Sequence, residues 1–91
     1  TTTVRFVSDM DIKAVCKFLY FPDIRSVIQV YDEEIEGIPL GMKALVIAFA
    51  FTKDGSPFSY FEETVIRENQ TVTLNLVPTT RAELLKKLED L

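Results

Sequence analysis

Histidine and tryptophan are absent from these 91 residues, and there is a single cysteine. Without histidine the chain lacks the side chain that serves most often as a general base or metal ligand near neutral pH. Cys16, being alone, can form no disulfide within the chain, which points to a reducing, cytoplasmic setting. Its place among Ile12, Val15 and Leu19 marks a core position, whereas a nucleophilic thiol needs exposure and a lowered pKa. No serine stands in a triad arrangement, so the sequence offers no catalytic residue, and no cofactor is expected. Glycine and proline are scarce, at three and four residues, and no linker or repeat interrupts the chain. The longest apolar run, Ala44 to Phe51, is too short to span a bilayer, and the threonine-rich start lacks the basic and apolar regions of a signal peptide. No membrane partner is expected.

What is present suits one globular domain over residues 1–91: 47% hydrophobic and 26% charged residues. The chain begins without methionine, which suggests a segment of a longer protein. A formal charge of -4 disfavours non-specific affinity for nucleic acid, which depends on neutralising phosphates with Lys and Arg.

Periodicity divides the chain into six elements and a final helix. Thr2 to Val7 alternates as a strand with Val4 and Phe6 inward. Ser8, Asp9 and Asp11 offer a cap for a helix carrying Ile12, Val15, Cys16 and Leu19, which Pro22 terminates. Ser26 to Glu33 and Lys43 to Thr52 alternate as strands. In the second, Leu45, Ile47, Phe49 and Phe51 are expected to fill the core, leaving Ala44, Val46, Ala48 and Ala50 on the opposite face. Asp54-Gly55 marks a tight turn. Ser59 and Glu62 form a potential capping box for a helix over residues 60–69, although Val65-Ile66 fits a hairpin equally well. Thr71 to Val77 alternates as a strand, and Thr80 with Glu83 caps a helix striped by Leu84, Leu88 and Leu91. The order βαββαβ plus a C-terminal helix predicts an α+β, ferredoxin-like antiparallel sheet with helices on one face.

Val30-Tyr31, Gly37-Ile38-Pro39, Gly41, Lys43, Leu45, Ile47, Phe51 and Glu62-Glu63 resemble the ferredoxin-fold anticodon-binding domain that closes phenylalanyl-tRNA synthetase chains. Asp11-Ile12-Lys13-Ala14-Val15 also resembles the start of that family's first helix. The sequence departs from the family pattern at Gln29, where the family has Asp, at Ala44, where it has Ser, and at Pro57-Phe58-Ser59, where it has Thr-Leu-Thr. The resemblance implies a non-catalytic tRNA-binding domain with Tyr31 as a stacking platform. Beside it the sequence places Gln29, and the cations Lys43 and Arg25, on or beside strands near Tyr31, are the candidate phosphate contacts.

Two other readings stand beside it. Val27, Ala44, Val46 and Ala48 would form a flat apolar sheet face suited to a protein partner or a second copy of the chain. Alternatively, Ser56 to Val77 is all strand, giving a β-rich domain attached to a larger extracellular or phage-type assembly. Asp32, Glu33, Glu34 and Glu36 lack calcium-loop spacing and read as a solvated turn, with no metal expected.

Overall fold

The computed structural model of the protein describes residues 1–8 and 15–90, with the backbone alone for Val15. Eight strands and one helix follow in the order β1 (Thr2–Ser8), β2 (Val15–Phe21), β3 (Ser26–Val30), β4 (Glu34–Ile38), β5 (Lys43–Phe51), β6 (Pro57–Val65), β7 (Gln70–Leu74), β8 (Val77–Pro78) and α1 (Arg81–Glu89). They form a three-stranded sheet ordered β4-β1-β7 and a five-stranded sheet ordered β3-β2-β5-β6-β8. The five-stranded sheet is antiparallel throughout, whereas β1 runs antiparallel to β4 and parallel to β7.

The two sheets stack as a sandwich around one core. Val4, Phe6, Ile38, Val72 and Leu74 enter it from the smaller sheet, and Leu19, Phe21, Val30, Ala44, Val46, Ala48 and Ala50 from the larger. The central strand β5 therefore turns its small residues inward, against the sequence expectation that its large ones fill the core. Sheets packed face to face stand about 10 Å apart and interdigitate, and alternation of large against small side chains fills that gap at native density. Small inward residues on β5 leave room for Phe6 and Leu74 opposite and Phe21 beside them. Leu45, Ile47, Phe49 and Phe51 consequently point out of the sandwich.

The ferredoxin-like α+β expectation is overturned, since the described residues hold two sheets and one short helix. Of the first expected helix, residues 9–14, including Asp9, Asp11 and Ile12, lie outside the described residues, while Val15–Phe21 is a strand paired on both sides. Its outer residues Phe18 and Tyr20 are apolar like its inner Leu19 and Phe21, so the contrast that marks a half-buried strand is missing. The expected helix at 60–69 is also replaced. β6 pairs with β5 along nine consecutive register positions from Pro57 to Val65, and the proposed capping residue Ser59 is buried within it. A cap worth about 1 kcal/mol cannot compete with a full ladder and the aromatic side chains of Phe58, Tyr60 and Phe61. The acidic turn also contains a strand, β4, fixed by its pairing with β1 and by burial of Ile38.

Local signals survive where tertiary pairing does not oppose them. Gly55 takes φ +83° in the β5–β6 turn, where its N–H donates to the Thr52 carbonyl. Asp54 accepts from the Thr52 hydroxyl and the Ser56 N–H, bonds that hold its carboxyl below the usual value, Thr52 contributing most. The Thr80/Glu83 capping box starts α1 as expected.

Burial ranks the consequences of truncation. Leu19 is fully buried and Phe49 only half-buried, so Leu19→Ala is expected to cost about 2–5 kcal/mol and Phe49→Ala clearly less. Ala48→Leu should destabilise by about 1–3 kcal/mol through overpacking between the sheets. Urea denaturation of the three variants checks this order; Phe49→Ala as the most damaging would mean that β5 faces the other way.

Candidate interaction face

Because β5 reserves its small residues for the core, the outer face of the larger sheet is aromatic. Strand pairing places Cys16, Phe18 and Tyr20 of β2 beside Phe49, Ile47 and Leu45 of β5, and Gln29 and Val27 of β3 beside Phe18 and Tyr20. The rings of Phe18 and Phe49 stack with centroids 5.8 Å apart, and Phe51 meets Phe49 edge-on at 6.4 Å. Such pairs add about 0.5–1.5 kcal/mol each beyond burial. The outer face of the smaller sheet is polar by comparison, carrying Arg5, Glu34, Thr71 and Thr73.

Helix α1 covers one side of the aromatic face. The Lys87 ammonium stands 4.6 Å from the Phe61 ring centroid, and Asp90 borders the same depression as Leu45 and Glu63, so the helix lies over the β5–β6 half. Accordingly Ile47 and Ser59 are buried on that half, and Leu84 is the buried residue of the helix. Towards β2 and β3 the cover ends. Cys16 is exposed, Phe18, Tyr20 and Phe49 are half-buried, and Val27 and Phe51 are 61% and 44% exposed. None of these six side chains carries a formal charge at neutral pH.

This patch differs from the one expected from sequence. Ala44, Val46 and Ala48 are at most 2% exposed and line the core, so they form no interaction surface; of that set only Val27 lies on an open face. The neighbouring large residues of the same strand were the signal, because inward alanines on a central strand leave its phenylalanines outside.

The four residues expected to meet RNA are also divided. Tyr31, 81% exposed, donates to Gln29 Oε1 at 3.0 Å beyond one end of β3. Arg25, with φ +48°, sits in the turn before the other end of that strand, and Lys43 starts β5 at the same end of the sheet as Arg25. At about 3.3 Å per residue, β3 separates Tyr31 from Arg25 by roughly 20 Å. The residues following Tyr31 are the exposed carboxylates Asp32, Glu33 and Glu34, which repel phosphate at the stacking platform. The ferredoxin-like sheet expected to carry these four residues is replaced by a sandwich.

Among the described residues no group of three or more histidine, cysteine, aspartate or glutamate side chains is arranged to hold a metal, and no helix is long and apolar enough to cross a membrane. Among the described residues the one strongly perturbed titrating group is Tyr60, whose hydroxyl donates to Glu62 Oε2 at 2.6 Å. Burial, then this hydrogen bond and the carboxylate charge, push its pKa up from 10.0 to about 12.

Since the folded value lies above the unfolded one, the contribution of Tyr60 to stability is complete below pH 10 and is lost as pH rises through 12. Absorbance titration should therefore show one tyrosine ionising late. Glu62→Gln should bring it part of the way down, because the effect of burial remains; unchanged late ionisation would exclude Glu62 as a cause.

Comparison of the chain with protein-family models, with curated proteins and with solved structures finds no match in any of the three.

Proposed function

We propose that the protein is a non-catalytic interaction module that self-associates through the open part of the outer face of its five-stranded sheet. The carrying observation is the uncharged aromatic patch of Phe18, Phe49 and Phe51 with Val27 and Cys16 at its margin. A second copy brings a surface of the same chemistry, and two such faces meet without burying a charge. An isologous contact requires only this self-complementarity. The formal charge of -4 resides elsewhere on the molecule, so it opposes association at long range without occupying the contact.

Sedimentation velocity over a range of concentrations tests this reading. The expected result is reversible self-association that strengthens with added salt, because screening weakens repulsion between like-charged copies. Val27→Glu should weaken association at least about tenfold by placing a charge in the contact, while the exposure of Val27 leaves the fold intact. Val46→Lys would unfold the domain, Val46 being completely buried. A species that remains monomeric at every concentration would overturn the proposal.

A further inference from the structure

The larger sheet ends in an edge that is only partly closed. β6 runs for nine residues, but β8 covers it at Phe58 and Ser59 alone. Two sets of hydrogen bonds fix which way its backbone faces beyond that point. The Pro57 carbonyl accepts from the Thr79 N–H on the β8 side, whereas the Ile66 N–H donates to Met42 and its carbonyl accepts from Gly41 on the β5 side. Backbone groups alternate along a strand, so Phe61, Glu63 and Val65 turn their N–H and C=O groups away from β5, towards the position β8 has vacated. No strand among the described residues fills it.

The side chains flanking this edge are acidic. Glu62 and Glu63 are both exposed and project to opposite faces of the sheet. On the outer side Glu63 and Asp90 border an open depression of about 700 Å³, whose wall includes the apolar Tyr20, Leu45 and Val65 and a single cation, Lys43. The Lys87 ammonium lies over the Phe61 ring.

We propose that the open stretch of β6, from Tyr60 to Val65, accepts an extended basic segment of a partner protein as an added strand continuing the line of β8. Main-chain bonds to Phe61 and Glu63 supply attachment, as strand addition to a sheet edge generally does. Adjacent lysine or arginine side chains of the segment, which a strand turns to opposite faces, then meet Glu62 on one face and Glu63 on the other, one aliphatic stem lying against Leu45 and Val65 in the depression. The same carboxylates repel an acidic strand, so the edge discriminates by charge as well as by shape. The main-chain attachment lies on β6, away from the aromatic patch on β2, β3 and β5, although Tyr20 borders both surfaces.

Titration of the chain with a short valine-rich peptide carrying two adjacent lysines, followed by backbone amide NMR and hydrogen exchange, tests the proposal. Saturable shifts and slowed exchange are expected at Phe61, Glu63 and Val65, with no response to a glutamate-valine peptide. Glu63→Pro removes an N–H that plays no part in the β5 ladder, and proline is tolerated where its nitrogen faces an open edge; it should weaken binding about tenfold or more through the lost bond. The double variant Glu62→Lys, Glu63→Lys, at two exposed positions, should abolish binding of the basic peptide and admit the acidic one. Absence of saturable binding, shifts confined to Phe18 and Phe49, or equal affinity for the double variant would each overturn the proposal.

Discussion

The inward row of Ala44, Val46, Ala48 and Ala50 on β5 is the constraint from which the rest of the arrangement follows. A central strand flanked by β2 and β6 has a fixed alternation, so small residues facing the smaller sheet oblige the large ones to face away. Phe6, Phe21 and Leu74 fill the space above the alanines. The outer face is then too apolar to be left to water, and α1 lies across part of it. A nine-residue helix about 10 Å wide cannot cover five strands spaced about 4.8 Å apart. The aromatic patch over β2 and β3 is what remains.

The two surfaces proposed for recognition differ in physical character. The aromatic patch offers area and little direction, because apolar burial is not directional and a ring can pack against many shapes. The open edge of β6 offers backbone groups in fixed register, flanked by carboxylates, and so specifies both the conformation and the charge of its occupant.

Much of the local structure was legible in the sequence, and the architecture was not. Val4 and Phe6, the turn at Asp54-Gly55, the alternation of Val72 and Leu74, and the Thr80/Glu83 cap can each be read from neighbours a few residues away. The β2 segment misleads because it is apolar on both faces, and β6 because Ser59 and Glu62 imitate a capping box within a strand whose identity comes from β5. The direction of β5 itself is ambiguous to local reasoning: size alone puts Phe49 inside, and only the bulk contributed by the opposite sheet decides otherwise. Size alone therefore puts Ala44, Val46 and Ala48 on the outer surface and Phe49 and Phe51 in the core, the reverse of their places in the sandwich.

The parallel pairing of β1 with β7 joins residues 4–8 to residues 70–74. The smaller sheet therefore cannot be assembled from neighbouring hairpins, and its middle strand has no parallel partner until most of the chain exists. The β2–β3 and β5–β6 hairpins can form early, while closure of the sandwich waits on a contact of long sequence separation, the kind that slows folding. During that interval the inner face of the larger sheet, smooth with alanine, is as open as its aromatic back, and a newly made chain presents two sticky sides where the mature one presents a single patch.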